Sequence, residues 1–425
     1  MRGNGDSWRK YRWHWKCAEK TVLTEKLIHY FRQIPDYRCG REKRHDLGEM
    51  LVCVTLGFLC GRTTIRRSLK WCKTHLEELR KHMNLKYGIA SPSTITRMLN
   101  GIDEELALYA FMEWIGEIVE SRNTHLAIDG KALCGATEKT KGETTPMLLN
   151  VVETVRGLIL AQLPVDSKTN EITAIPELLK LLDISGSIVT IDAVGTQTAI
   201  MEQIHEQGGH FVLTVKKNQP EAYEEIHTFM DKLGAEDLKR KKGEAMDPGM
   251  KEFLEKYEEI SQMEKNRDRN EYRTCQICKD ASNLTKSQKE WPHVQSIGRI
   301  KQVRIPKEKD SQGNDVTPSK EEFLEKGSRR IPAPSAGEGA GKDVQCTALI
   351  SDLILTAEEL GSIKRMHWSI ENRLHHVLDD TFREDRSPAK KSRNNLSLIR
   401  KYAYNILRLA MYETGLANIM TEMKI

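Results

Sequence analysis

The chain has 425 residues, 39% of them hydrophobic, and a formal net charge of +5 from 66 basic and 61 acidic side chains. This length suffices for roughly two to four domains, and the composition excludes a wholly disordered chain. The sequence contains no apolar run of about 18 or more residues, and its N-terminus lacks the pattern of a secretory signal. We therefore expect a cytoplasmic, nucleoid-associated protein with no membrane partner, whose mildly basic balance permits but does not require nucleic-acid binding.

The nine cysteines are scattered along the sequence, and their odd number is typical of a reducing compartment. Cys275 and Cys278 form a lone CxxC pair. A zinc site is one interpretation, but no second pair follows at zinc-ribbon spacing. The pattern favours two residues of an ordinary strand.

The first 120 residues are predicted to contain a tail and a helical domain. Residues 1–21 are basic and aromatic, which suits either an arm that stacks on nucleic acid or, more commonly, a solvated tail. Residues 22–120 have helical periodicity, and 47–61 are apolar enough for a core helix. A later helix, capped by Ser91 or Ser93, carries threonines and an arginine at its exposed start. That start suits contact with a DNA backbone, although a plain helical bundle would look similar.

Residues 121–235 are predicted to fold in the order β-β-β-α-β-α-β. The first β-rich run ends at Asp129, and the fourth, 187–192, ends at Asp192. This is the order of an α/β ribonuclease-H-like core, in which right-handed crossovers place strand four beside strand one. Both aspartates would then lie side by side at neighbouring strand ends.

The rest of the chain is predicted to complete this core after an insertion. Residues 236–345 are predicted to form a β-containing insertion, in which a charged, helical stretch at 239–259 precedes strand-like runs at 271–278 and 293–305. A flexible loop at 306–343 that is rich in Pro, Gly and Ser completes it. Residues 346–425 return to the core with a strand, a long helix at about 356–382 and a last amphipathic helix.

Two adjacent aspartates repel each other unless they are protonated or bridge cations, and Mg²⁺ prefers such oxygen ligands. Two ions about 4 Å apart can hold both the attacking and the leaving oxygen of a phosphoryl displacement. Our candidate for the third acid is Glu371, with His367 and His375 four residues away on either side. A single aspartate after a strand is more often a turn residue, and a His-Glu-His face could bind zinc or a di-iron centre. The di-iron motifs are absent from other helices, so DNA contact explains the histidines better.

Four ordered stretches, AIDGKALCGA, SKTNEITAIPELLKLLDISGSIVTIDAVGTQ, FVLTVKKNQP and HWSIENRLHHVLDDTFREDRS, closely resemble the H-repeat-associated (ISAS-type) branch of bacterial insertion-sequence DDE transposases. The resemblance runs along almost the whole chain. It implies that Asp129, Asp192 and Glu371 hold two Mg²⁺ ions, for which Mn²⁺ could substitute. It also implies hydrolysis at the element ends, transfer of the freed 3′-OH into target DNA, and a homodimer on the terminal inverted repeats and target DNA.

Further residues are predicted to contact DNA near the cut: Lys131, Lys168, Lys216, Lys217, Asn218, Arg365, His367, Asn372, Arg373 and His375. One departure from related transposases is that Lys364 and His367 stand where a tyrosine and an arginine are common. Two alternatives remain open at this point. A nuclease of the same fold would cut DNA without joining ends, and a domesticated, catalytically silent protein would bind DNA without cutting it.

Overall fold

The computed structural model describes residues 17–136, 145–165, 171–265, 269–284, 291, 293–306, 308–309, 315–316 and 344–413. Most of the predicted tail and most of the predicted loop lie outside these residues, as does Lys168. Within the described ranges, no helix is long and apolar enough to cross a membrane.

Helices form the first part of the chain, as predicted. The Asp46 carboxylate accepts a hydrogen bond from the Glu49 backbone N–H and so caps the second helix, which is almost wholly buried. Ser91 caps the fifth helix by accepting from the Thr94 backbone N–H. The helices are α1 (Cys17–Gln33), α2 (Leu47–Leu59), α3 (Ile65–Thr74), α4 (Leu76–Leu79), α5 (Pro92–Gly101) and α6 (Glu104–Gly116).

A nine-stranded mixed sheet forms the centre of the molecule, in the order β3-β2-β1-β4-β5-β11-β8-β7-β6. Its first five strands and the helices α7 (Glu171–Lys180) and α8 (Thr198–Glu206) follow the predicted β-β-β-α-β-α-β order. The strands are β1 (His125–Ala132), β2 (Met147–Glu153), β3 (Leu158–Val165), β4 (Ile188–Ile191), β5 (His210–Val215), β6 (Tyr257–Lys265), β7 (Arg269–Cys278), β8 (Ser296–Pro306) and β11 (Val344–Ser351). A separate pair, β9 (Glu308–Lys309) and β10 (Asp315–Val316), is antiparallel.

The pairing of β1 with β4 brings the two aspartates together. These strands are parallel, and Ile128 lies opposite Ile191. Asp129 and Asp192 each follow these partners directly, so they are neighbours. Asp192 lies just after β4 as expected, whereas Asp129 lies within β1, which continues to Ala132 instead of ending at the aspartate because it stays paired with β2. The predicted placement of strand four beside strand one is confirmed.

The segment between β5 and β11 extends the same sheet rather than forming a separate one. It contains α9 (Pro220–Lys242), α10 (Lys251–Glu255) and the strands β6, β7 and β8. The charged stretch through 259 was expected to be helical, but β6 begins at Tyr257 and pairs antiparallel with β7 along its length. Cys275 and Cys278 are buried in β7, in keeping with the strand interpretation of the CxxC pair.

The C-terminal helices pack against the sheet and the N-terminal helices. The long helix predicted at 356–382 is divided into α11 (Ala357–Ile370), a π-helical turn (Glu371–His375) and α12 (His376–Asp380), and α13 (Arg393–Glu413) follows. Tyr402 of α13 packs edge-on against Phe31 and Phe111, with ring centroids 4.7 and 4.8 Å away. The buried Lys401 donates hydrogen bonds to Asn150 and Gln162 of the sheet. One core is therefore shared by the N-terminal helices, the last helix and the sheet.

Gly57 marks the closest approach of α2 to α3, and replacing it with alanine should destabilise the protein. A Cβ at residue 57 would lie 2.2 Å from Ser68 Cβ and 2.7 Å from Ser68 Cα, so a helix would have to move. We expect Gly57→Ala to lower the free energy of unfolding by about 1–3 kcal/mol, measured by urea denaturation. Gly116→Ala is the control, because a Cβ there meets no atom within 4 Å. Equal stability of the two variants would contradict this packing.

Candidate active site

Three acids from distant parts of the sequence lie at one edge of the sheet. The Asp129 side chain is 28% exposed, that of Asp192 46%, and that of Glu371 75%. Ligand atoms of Asp129, Glu371 and His375 all lie within 4.8 Å of one another, a spacing that suits a single metal ion. The structure thus places Asp129, Glu371 and His375 together. Asp192 lies next to Asp129 because β4 is beside β1.

His375 links Asp129 to Glu371. Its Nδ1 lies 3.6 Å from Asp129 Oδ2 and 3.2 Å from Glu371 Oε2. The π-helical turn spans Glu371 to His375, and turns of this kind are frequent at functional sites. Consequently the two histidines that flank Glu371 serve different aspartates, with His375 beside Asp129 and His367 beside Asp192.

Three cationic or protonatable groups surround Asp192. Its Oδ2 accepts a hydrogen bond of 3.2 Å from Lys216 Nζ. Its Oδ1 lies 3.6 Å from both Lys364 Nζ and His367 Nε2. The buried Lys364 ammonium is also held by Thr214, to whose Oγ1 it donates at 2.8 Å. Asp192 is therefore the acid with local charge compensation.

The two aspartates have opposite electrostatic environments. Burial, followed by the charge of Asp192, raises the pKa of Asp129 from its ordinary value of 3.8 to about 7. The polar contact with His367 and the charges of Lys364 and Lys216 instead hold the pKa of Asp192 well below its usual range, against the effect of burial. Burial lowers the pKa of Lys364 to about 8. Asp129 is thus the acid whose negative charge lacks compensation from the protein.

The donor set fits a hard divalent cation. Carboxylate oxygens of Asp129 and Glu371 are the ligands that Mg²⁺ and Mn²⁺ prefer, and a dication beside Asp129 would supply the positive charge that the protein does not. A fourth carboxylate, Glu171 at the start of α7, lies close by: a Cβ built on Gly130 would be 3.1 Å from Glu171 Oε1. Burial and the charge of Asp192 raise the pKa of Glu171 as well.

A network of buried hydrogen bonds holds the His367 ring through its Nδ1, while its Nε2 faces Asp192. His367 Nδ1 hydrogen-bonds Thr190 Oγ1 at 2.9 Å, and Thr190 Oγ1 lies 3.0 Å from His125 Nε2. His125 Nδ1 in turn meets Thr154 Oγ1 at 2.7 Å. Because β1 and β4 are adjacent, His125 and Thr190 can fix the ring that faces Asp192.

The residues predicted to contact DNA are placed in several environments. Lys216, Lys217 and Asn218 are exposed beside Asp192, and Asn218 Nδ2 donates to the Ala193 carbonyl at 3.0 Å. The exposed Arg365 pairs with Glu264 at 2.9 Å. Asn372 is exposed and Arg373 half-buried, whereas His367 and His375 are buried against the acids.

Lys131 has an environment that differs from the DNA-contacting position predicted for it. Its side chain is 5% exposed, and its Nζ donates to Asp379 Oδ1 at 2.6 Å and lies 3.6 Å from Asp385 Oδ1. A buried ammonium held by two carboxylates is poorly placed to meet a phosphate. We therefore correct the expectation for Lys131 to a structural tie between β1 and the segment after α12.

Sequence reasoning missed Lys364 and Glu171 as members of the site. Lys364 had been noted only as a departure from a family pattern, although it lies one helical turn before His367 and thus on the same side of α11. Glu171 is the first residue of α7, directly after the crossover from β3, where an acid can face the strand edge. The spacing of Lys364 from His367 and the position of Glu171 at the start of a helix are the sequence features that could have predicted them.

Comparisons with known proteins assign the family. The model described as "Transposase DDE domain" matches residues 120–406, and that described as "DDE_Tnp_1-associated" matches residues 28–115. The chain belongs to the DDE transposase family and is an enzyme that acts on DNA. DNA transposition and a mobile element follow from that membership.

Two curated relatives indicate which branch of the family the chain resembles. The chain is 28% identical over 388 residues, 90% of each sequence, to the "H repeat-associated putative transposase YhhI" of Escherichia coli strain K12. It is 32% identical over 196 residues to YbfD, described in the same words, covering 46% of this chain and 78% of the relative. The predicted resemblance to H-repeat-associated transposases is confirmed.

Among solved structures, the cryo-EM piggyBac transposase synaptic complex with hairpin DNA is similar over 94% of this chain and 81% of its own. The sequence identity is 12% and the TM-score is 0.36, values too low to support an argument.

The neutral state of His125 should make stability depend on pH. Burial, then the charges of His367 and Lys364, lower its pKa from 6.5 to about 3, so the folded protein binds this proton less tightly than the unfolded chain. The stability contributed by neutral His125 is complete above pH 6.5 and is lost as the pH falls towards 3. We expect His125→Gln to remove about 2 kcal/mol of the loss in unfolding free energy between pH 7 and pH 5.

The measurement is urea denaturation of both proteins at pH 7 and at pH 5. The variant should be less stable than the wild type at pH 7, because it loses contacts to Thr154 and Thr190. The same loss of stability between the two pH values in both proteins would show that His125 does not titrate on unfolding.

Proposed function

We propose that this transposase cleaves DNA at the ends of its insertion sequence and joins the freed 3′-OH to target DNA, with two Mg²⁺ ions bound to Asp129, Asp192 and Glu371. The observation that carries this proposal is the register of β1 and β4, which sets Asp129 beside Asp192 at the edge that Glu371 covers. Such ions, when bound, activate the attacking oxygen and stabilise the leaving oxygen. Membership of the DDE family supports the same chemistry.

Residues of the chain would bind the ions, orient the carboxylates and attract the phosphate. Asp129 and Glu371 offer ligand oxygens, and His375 orients both carboxylates through Nδ1. Lys364 and His367 fix the orientation of Asp192 from the buried side. On the exposed side, Lys216 and Lys217 would attract the scissile phosphate, since exposed ammonium groups bind phosphates without reading the base sequence.

We also propose the division of the chain that goes with this function. Residues 121–235 and 346–425 would form a ribonuclease-H-like core, residues 22–120 the helical N-terminal domain, and residues 236–345 an insertion. The β-β-β-α-β-α-β order with β4 beside β1 supports this division. A homodimer on DNA would bring two element ends together. Asn218, Arg365, Asn372 and Arg373 would contact DNA around the acids.

Removal of any of the three acids should abolish cleavage but not DNA binding. We expect Asp129→Asn, Asp192→Ala and Glu371→Ala to lower the rate of strand cleavage by about 100-fold or more, because each removes a metal ligand. The measurement is Mg²⁺-dependent nicking of a labelled duplex that spans an end of the element. Asp380→Asn is the control, since Asp380 is 65% exposed and pairs only with His376 among the described residues.

Normal cleavage by any of the three acid variants would refute the assignment of that acid. Joining is scored in the same reactions with a precut 3′-OH end and a supercoiled target. Cleavage without joining would favour a nuclease, whereas binding by the wild type without cleavage would favour a domesticated protein.

Glu171 should assist metal binding as a fourth carboxylate. We expect Glu171→Gln to raise the Mg²⁺ concentration for half-maximal cleavage about tenfold, because its charge lies beside Asp129 and interacts with Asp192. Glu177→Gln on the same helix is the matched control, since Glu177 is 62% exposed and pairs with Lys180. The same Mg²⁺ dependence for both variants would show that Glu171 does not assist metal binding.

A further inference from the structure

A basic groove of about 830 Å³ lies between the N-terminal helices and the segment that follows α12. One wall is formed by the starts of α3 and α5, and the other by Arg383 and residues 386–392. Its cationic side chains are Arg66, Arg67, Arg383, Arg386, Lys390, Lys391 and Arg400. No carboxylate lines the groove in the part of the chain that the structure describes. This surface concentrates positive charge in a protein whose overall net charge is only +5.

Two helix N-termini also face this groove. The first residues of α3 and α5, including Arg66 and Pro92, line it, and each helix has ten residues. Unpaired backbone N–H groups and the helix dipole make such ends favourable for anions. The hydroxyl groups of Thr63, Thr64 and Thr96 add neutral hydrogen-bonding groups to the same wall.

The floor of the groove contains a polar group that is not fully satisfied. Arg400 is 3% exposed and lies 3.7 Å from Glu384. Its Nε has no hydrogen-bond partner among the described residues. The exposed Arg66, Arg67 and Arg386 likewise have no ion pair with a described acid. These three exposed arginines are therefore available to a ligand from outside the chain.

The groove is tied to the strand that carries Asp129. Lys131 of β1 holds Asp379 and Asp385, which flank the start of residues 383–392. Gly135 packs against the same segment so closely that a Cβ there would lie 2.1 Å from the Asp385 carbonyl oxygen. A ligand held in the groove would consequently have a fixed position relative to the acids.

We propose that this groove binds the phosphate backbone of duplex DNA and so positions the element end relative to the active site. The inference rests on the proposed function and names the surface that holds its substrate. Cations on two walls suit a polyanion better than a single phosphate, which would engage only a few of them. Because no aromatic side chain lines the groove, base stacking is not its mode of recognition within the described residues.

The test measures binding of a fluorescein-labelled 30-base-pair duplex by anisotropy in EDTA, over a series of NaCl concentrations. We expect Arg66→Gln/Arg67→Gln and Arg386→Gln/Lys391→Gln each to weaken binding about tenfold at moderate salt. Each pair should also reduce the slope of log Kd against log salt by about 2, as for two lost phosphate contacts. Lys70→Gln/Lys73→Gln is the matched control, since both lysines are exposed on α3 but do not line the groove.

Unfolding temperatures of all three double variants establish that they remain folded. Equal affinity and salt slope for the groove variants and the control would overturn the proposal. So would a loss of binding to anionic phospholipid vesicles with unchanged binding to DNA, which would assign the groove to a membrane surface. Because binding is measured without metal, a wild type that binds through the groove but never cuts would contradict the proposed function and still support the groove.

Discussion

Repulsion between carboxylates is the constraint around which this structure is organised. The parallel pairing of β1 with β4 places Asp129 next to Asp192, and the helix that covers this edge adds Glu371. Bringing negative groups together in a partly buried site costs free energy unless positive charge accompanies them. The protein supplies that charge on one side only, through Lys216 and Lys364 around Asp192.

The asymmetry between the two aspartates has a structural origin. Lys364 and His367 lie one helical turn apart on α11, which crosses β4, so both approach the same carboxylate. The π-helical turn follows α11, and at its end the buried His375 imidazole, whose pKa is lowered, approaches Asp129 without a permanent charge. Asp129 keeps a raised pKa and a strong demand for a cation. The charge of Asp192 is therefore compensated by the protein itself, whereas the charge of Asp129 would be compensated by a bound metal ion.

The sequence was sufficient to predict the β-β-β-α-β-α-β order and the pairing of β1 with β4, because short β-rich runs alternate with amphipathic helices in residues 121–235. It could not predict that Lys131 is buried, since its partners Asp379 and Asp385 are remote in the sequence and meet it only in the folded protein. The strand β6 was missed because YEEISQMEK is rich in residues that favour helices, and pairing with β7 overrides that preference.

The pairing of β8 with β11 has an evolutionary consequence. The two strands are antiparallel neighbours, with Val303 opposite Val344, so the ends of the chain segment between them are held close together. Whatever lies between these ends can lengthen or shorten without displacing β11 or the helix bearing Glu371. A change of length or composition here would thus leave the acids in register, which makes this segment a suitable place for contacts to be gained or lost.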